Sequence, residues 1–381
     1  MARGLAYGKG ATIAAILLVT TLATALAARQ PLSRVAAGAR VTVASAGCGR
    51  GWAPRASGPQ ELRLYNSGGQ PAEAAVIVPA TGAVVGEIDA LGPDATRVLR
   101  LDLGPGAYAL RCHLEGDDPV VGAPVRVRGS GRGGPEVVPV TSNDLYGPVR
   151  AYQKIVAKRL DTLVAKTGAL RTAVRDGDRG AARDAWLPAH MAYERLGGAY
   201  GAFGDLGDAM NGTGPGATGF HRVEHGLWHD EAMTGLRGPA DDLDRDARKL
   251  RGQWSDQRID PLDLGLRAHE IMEDAERGVL TGQSDDGSGT DLATVSADLD
   301  GTRDVLSVLR PLLRTRDPGL NDLDAWLDRT DTVLRSHDHG GHWTSLDDLS
   351  PMDRQRVNGA VAGLLERLAP IAEICAPRRV S

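Results

Sequence analysis

Three of the chain's nine histidines, with a glutamate among them, fall in Thr218-Gly219-Phe220-His221-Arg222-Val223-Glu224-His225-Gly226-Leu227-Trp228-His229. On a helix, residues three and four apart are neighbours, with roughly 5–6 Å between Cβ atoms. That spacing puts His221, Glu224 and His225 on one face, with His229 one turn further on. Imidazole nitrogen and carboxylate oxygen together suit Fe, Mn, Zn or Cu(II). The alternative is a polar helix end whose histidines are solvated, which a lone HxxE would favour. His225 and the apolar flanks Phe220, Val223, Leu227 and Trp228 bring the two readings level.

His221 and His225 also have the i, i+4 spacing of the zinc-protease motif HExxH. Arg222 stands where that motif needs its general-base glutamate, and a cation cannot take a proton from a metal-bound water. The stretch is not a zincin motif.

The elements that must position these residues follow from the rest of the chain. A length of 381 residues allows two or three domains, and 42% hydrophobic with 24% charged residues is a globular composition. The net charge of −5 argues against nucleic-acid binding by bulk charge. With only two Phe, the core must be built from Ala, Leu and Val. Residues 1–28 read as a signal peptide or N-terminal membrane anchor: Arg3 and Lys9, an apolar run from Ala11 to Ala28, and a small-x-small pattern at Ala25-Leu26-Ala27. The remainder is expected outside the cytoplasm, where a disulfide among the three cysteines is chemically permitted.

From residue 40 to 128 the texture is β. Short runs at 41–43, 62–65, 75–78, 98–101 and 125–127 are separated by Asn66-Ser67-Gly68-Gly69, Gly92-Pro93-Asp94 and Gly104-Pro105-Gly106. Such spacing predicts a small β-sandwich. Residues 129–143 read as a linker that opens on a flexible glycine-rich stretch. From 144 to 377 the texture is helical, with helices expected over 144–176, 179–199, 220–235, 239–256, 260–281, 290–315, 320–337 and 351–375. A bundle of this kind builds metal sites from facing helices.

The helical half resembles the imelysin-like domain of the EfeO type, found in extracytoplasmic iron-uptake proteins. The likeness rests on Gly219-Phe220-His221-Arg222-Val223-Glu224 as its GxHxxE hallmark, on Ala185-Trp186 through Tyr193-Glu194, and on Phe203-Gly204-Asp205-Leu206. Thr290-Asp291-Leu292 and Val308 to Leu313 also match. The preceding sandwich resembles the cupredoxin-like domain of the same proteins, through Cys48 and the segment Gly104 to Cys112. The fold expected is thus two-domain: a small all-β cupredoxin-like sandwich followed by an all-α imelysin-like helical bundle.

The resemblance implies a metal site on His221, Glu224 and Glu194. His190, one turn before Glu194, shares its helix face, and His225 stands in support. Where the family has Asp-Leu-Asp followed by Ile-Asp, this chain has Asp205-Leu206-Gly207 and Met210-Asn211, which leaves Asp205 and Asp208 as substitutes. Where the family has Tyr-Ser-His before Thr-Asp-Leu, this chain has Gly287-Ser288-Gly289. These departures imply a weaker site or one selective for a different metal. In the related sandwich domains a cysteine pair and a glutamate lie close together, which carries over to Cys48, Cys112 and Glu73. His113 directly follows Cys112, although neighbours on a strand point to opposite faces. A Cys48–Cys112 disulfide is the competing reading, and the sequence leaves the two open. No Met follows at axial-ligand spacing, which argues against blue copper. His337, His339 and His342 read as a solvated loop, and Cys375 as a buried core cysteine.

The function implied is that of an extracytoplasmic iron-uptake component. It would capture Fe(II) or Fe(III) and deliver it to a membrane iron permease, with a haem peroxidase of the same system as a further partner. Copper and zinc are the other ions to consider. The rival readings are a metal-dependent peptidase-like enzyme and a cupredoxin-type redox or ferroxidase module. No nucleophile–base pair or protease signature is readable, so a binding role is preferred to an enzyme.

Overall fold

The structure, a computed structural model, describes residues 40–54, 56–214 and 216–377. The signal or anchor expected over 1–28 lies outside them. No helix among the described residues is long and apolar enough to cross a membrane. The chain divides into two compact units, one built mainly on residues up to 136 and one on residues from 137 onward.

The first unit contains β1 (Arg40–Val43), β2 (Gly58–Asn66), β3 (Ala72–Val78), β4 (Ala83–Leu91), β5 (Thr96–Leu103), β6 (Gly106–Leu114), β7 (Val120–Val121) and β8 (Val125–Val127). One sheet runs β1-β2-β5, with β1 parallel to β2 and β5 antiparallel to it. The other runs β4-β3-β6, and both β7 and β8 pair with β6. Alternation places Val41, Val43, Leu62 and Leu64 of the first sheet in one apolar core with Ala74, Val76, Leu110 and Cys112 of the second. The glycine-rich stretch after β8 is tied to this unit rather than free: Gly131 donates its N–H to Ser57 Oγ and Gly134 to the Asp102 carbonyl, each at 2.8 Å.

The second unit is helical throughout: α1 (Ser142–Asp176), α2 (Arg179–Glu194), α3 (Asp205–Asn211), α4 (Gly219–Trp228), α5 (Met233–Gln253), α6 (Pro261–Arg277), α7 (Asp291–Leu313), α8 (Leu320–Arg335) and α9 (Pro351–Cys375). Local chemistry sets its boundaries. Thr141 and Asp144 form a reciprocal capping box at the start of α1, and Gly177 ends the helix at φ 79°. Asp178 caps α2, Asp260 caps α6 ahead of Pro261, and Ser350 caps α9 ahead of Pro351. Along α1, Leu145, Val149, Tyr152, Val156, Leu160, Leu163, Leu170 and Val174 recur at helical spacing and are buried. This stripe joins the single large core of the unit, to which α2, α5, α6, α7 and α9 also contribute.

The helix expected over 220–235 is two helices. It breaks at 229–232, where Asp230 takes φ 57°, a conformation that ends a right-handed helix. The freed carbonyls are taken up by arginines of α2. Arg179 donates to the carbonyls of Gly226, Leu227 and Glu231, and Arg183 donates to that of Leu227 at 2.7 Å.

Candidate metal centre

Gly219 opens α4 at φ 53°, and a Cβ there would lie 1.9 Å from the Met210 carbonyl oxygen. Only glycine fits, because the left-handed conformation and the backbone contact each exclude a side chain. The contact brings the end of α3 against the start of α4. Thr218 reinforces it by donating to the Asp208 carbonyl at 2.6 Å and accepting from Gly212 N–H at 3.1 Å. Gly219→Ala is therefore expected to lower stability by at least ~2 kcal/mol. Urea unfolding checks this, and an unchanged midpoint would show that the α3–α4 junction relaxes freely.

Along α4, Phe220, His221, Val223, Glu224 and Leu227 are buried. Arg222 turns the other way and pairs with Glu231 at 2.8 Å. On α2, Trp186, His190 and Glu194 recur every fourth residue and so share a face. Trp186 donates its indole N–H to the Phe220 carbonyl at 3.1 Å, and its ring stacks on His190 with centroids 4.7 Å apart. The His190 and His221 rings then meet edge-on, with centroids 5.8 Å apart. A third element completes the arrangement. In the loop before α7, the Asp285 carboxylate accepts from the N–H groups of Gly287 (2.7 Å), Gly289 (2.7 Å) and Thr290 (3.2 Å). That turn carries Asp286 inward, and Ser288 N–H donates to Glu224 Oε1 at 3.3 Å.

These elements enclose a cavity of about 210 Å³ lined by His190, Glu194, Asn211, His221, Glu224 and acids of the α6–α7 region. On one side, His221 Nδ1 lies 3.5 Å from Glu224 Oε2 and 3.6 Å from Asp286 Oδ2. Donors bound at 2.0–2.2 Å to one tetrahedral ion stand roughly 3.4 Å apart, so this spacing suits a single metal. On the other side, His190 Nε2 lies 2.9 Å from Glu194 Oε1, close enough for Coulomb attraction but not aligned as a hydrogen bond. Tyr200 Oη donates to Glu194 Oε2 and Asn211 Nδ2 to Oε1, both at 2.9 Å. Such outer partners orient a metal-binding carboxylate. His190 and His221 are each 4% exposed, yet both ring nitrogens of His190 and Nδ1 of His221 lack a hydrogen-bond partner. Buried polar atoms are nearly always paired, and unpaired imidazole nitrogens facing carboxylates are what a metal would satisfy.

The electrostatics are those of crowded negative charge. Burial pushes Asp291 up to about 7, helped by Asp285 and Glu224. Burial likewise holds Asp298 well above the carboxylate range, with Glu194 and Asp274 adding to it. Burial alone would depress His221, but Glu224, Glu194 and Asp286 outweigh it and leave its pKa raised. For Glu194, burial would raise the pKa, but contacts with His190 and Tyr200 and the charge of His221 leave it lowered.

Of the residues named from sequence, His221, Glu224, Glu194 and His190 line this cavity. Asp205 and Asp208 do not: both are exposed on the outer side of α3. His225 is exposed too and stacks on His229 at 4.2 Å, because the buried stripe of α4 ends at Glu224 on that flank. Asp286, Asp285, Asn211 and Asp291 were not singled out as site residues. The adjacent Asp285-Asp286 pair in a glycine-rich loop is the signal that could have found two of them.

In the sheet unit, Cys48 and Cys112 form a disulfide with Cα atoms 5.9 Å apart. In the β3–β6 register Ala74 faces Cys112 while Glu73 faces His113. Cys112 thus points into the core, and Glu73 and His113 meet on the opposite face at 3.5 Å. The four residues do not converge on one ion, and the sulfurs are bonded to each other. Cys375 is free and buried, with its thiol pushed up to about 12 by burial.

The family profile described as Imelysin matches residues 148–371. The iron uptake system component EfeO of Yersinia pestis is 30% identical over 300 residues, covering 76% of this chain and 78% of that protein. The protein of the same name from an avian pathogenic Escherichia coli is 26% identical over 302 residues, with the same coverage. A crystal structure named for an iron-regulated protein A precursor from Parabacteroides distasonis superposes with a TM-score of 0.51 at 12% identity. It covers 62% of this chain and 96% of that one, a likeness of fold alone.

Proposed function

The chain belongs to the imelysin family, and from that premise we propose that it is a metal-capturing component of an iron-uptake system. The observation that carries this reading is the set of unpartnered, buried imidazole nitrogens of His190 and His221 facing Glu194, Glu224 and Asp286 in one cavity. The relatives named as iron uptake system components support iron as the cargo. The oxygen-rich donor set also suits a hard or borderline cation. Export is supported by the pattern of residues 1–28 and by the disulfide, which persists in oxidising compartments. In this reading the chain holds Fe(II) or Fe(III) outside the cytoplasm and delivers it to a membrane iron permease, with a haem peroxidase as a further partner. The sheet unit is read as cupredoxin-like in architecture but without a copper centre, because its two cysteines are spent in the disulfide.

Titration of the full chain with Fe(II) under anaerobic conditions, compared with Mn(II) and Zn(II), tests the proposal. Failure to bind any of the three would end it. The pH dependence has a definite sign. A ligating imidazole must be neutral, and the His221 pKa is raised above its ordinary value near 6.5. Protons therefore compete from a higher pH than they would with an ordinary histidine. In the metal-free chain, the contribution of His221 is fully present below pH ~6.5 and is lost as pH rises through the raised value. The metal-loaded chain has the opposite preference. The gain in melting temperature on loading should thus shrink steadily as pH falls from about 8 to 6. A gain independent of pH would exclude His221 as a ligand.

A further inference from the structure

The donors of the cavity fall into two groups rather than one. His221 Nδ1, Glu224 Oε2 and Asp286 Oδ2 all lie within 4.8 Å of one another, and no atom of His190 or Glu194 joins that set. His190 Nε2 and Glu194 Oε1 form a separate pair at 2.9 Å, a spacing that suits adjacent positions around one octahedral ion. Each group contains a histidine that is 4% exposed and has an unpartnered ring nitrogen. The two ring centroids lie 5.8 Å apart, and no ring nitrogen of His190 comes within 4.8 Å of all three donors of the first group, so a metal seated among those three leaves His190 unsatisfied.

The charge of the cavity points the same way. Glu194, Glu224, Asp274, Asp285 and Asp291 line it, with Asp286 beside them, and no Lys or Arg is among the lining residues. Asp274 is matched by Arg267 at 3.5 Å, and one divalent ion balances only part of the charge on the carboxylates that remain, which is costly in a partly buried site. A second cation reduces the imbalance.

We propose that the cavity takes two metal ions, one on His221, Glu224 and Asp286 and a second on His190 and Glu194. The second ion has fewer protein donors, so solvent completes its shell and it binds more weakly. Tyr200 and Asn211, which donate to the two Glu194 oxygens, position that carboxylate for it.

This inference rests on the metal-capture reading, and the test separates the two. Equilibrium dialysis of the full chain against Zn(II) should show two equivalents more than a His190→Gln/His221→Gln double variant, whose residual binding reports surface histidines. Each single variant should lose one equivalent and keep the other. A difference of one equivalent, abolished by either single variant, would overturn the two-ion arrangement and leave metal capture standing. No difference between wild type and double variant would remove both. Mn(II) paramagnetic resonance on the unaltered chain gives a check independent of variant folding. The signal of an isolated ion should grow to one equivalent and broaden through spin coupling as the second binds. A spectrum that stays that of isolated ions at two equivalents would overturn the proposal.

Discussion

Glu224→Gln is expected to weaken metal binding by the full chain more than tenfold while leaving the far-ultraviolet circular dichroism unchanged. Glu224 is 1% exposed, one of its oxygens accepts from Ser288 N–H, and the other faces His221 Nδ1. Glutamine keeps the shape but removes the anionic charge, and only one of its two terminal atoms can still accept a hydrogen bond. Loss of the outer hydrogen bonds around a metal already costs 10–100-fold in affinity. Loss of a ligand should cost at least that, or about 1.4–2.8 kcal/mol at tenfold per 1.4 kcal/mol. His221→Ala should behave likewise. His229→Gln supplies the contrast, because His229 is exposed, stacked on His225, and bonded through Nδ1 to the His225 carbonyl. Isothermal titration with Mn(II) or Zn(II) reads the difference. Unchanged affinity in both Glu224→Gln and His221→Ala would leave Gly219 to Glu224 as a structural helix start, with no metal on it.

The part of this centre that could be read from the sequence is the part carried on regular helix. Spacing alone places His221 beside Glu224, and Trp186, His190 and Glu194 on one face, because helical periodicity is a local property. The same reasoning put His225 with them. The buried stripe of α4 is set by what packs on it, however, and it leaves His225 in solvent. Asp286 was invisible for a different reason. Its position depends on the turn that Asp285 builds with three backbone N–H groups and on where that loop meets α4. Asn211 is a related case. It stands where the family has a carboxylate, and the structure turns it to donate to Glu194, so the substitution changes an acidic position into an outer partner.

In the sheet unit, the strands found from sequence were those with β-branched or alternating runs. The two longest additional strands, β4 and β6, carry that signature only in part: β4 has Val84 and Val85 at its start, and β6 alternates from Leu110 to Leu114. β4 contains Gly86 and a charged Glu87-Ile88-Asp89 segment with little burial, and β6 opens on Gly106-Ala107. Both pair with β3, β4 across the short connection over 79–82 and β6 across a long sequence separation that no local pattern records. In the helical unit the short α3 was missed because its seven residues are too few to display a period.

The disulfide offers the largest stability effect to be measured in the sheet unit. Cys48 and Cys112 are 64 residues apart, and closing a loop of that length removes about 4 kcal/mol of unfolded-state entropy in the chain-entropy account. Both cysteines are buried in the core between the sheets, at 7% and 1% exposure, so serines in their place would also leave hydroxyls in an apolar setting. Cys48→Ser/Cys112→Ser should therefore speed amide exchange in β3 and β6 by up to roughly a thousandfold where exchange needs the unit to open. Thiol counting tests the chemistry apart from the energetics. Under denaturing, non-reducing conditions the oxidised, metal-free chain should show one reactive thiol, that of Cys375. Three would mean that the pair is held reduced. A thiolate ion site on the sheet unit would then return as a reading, since Cys48 and Cys112 already face each other at bonding distance. One thiol, with exchange accelerated in the double variant, places the sheet unit's cysteines in structural service. The metal chemistry of the chain then rests on the helical cavity.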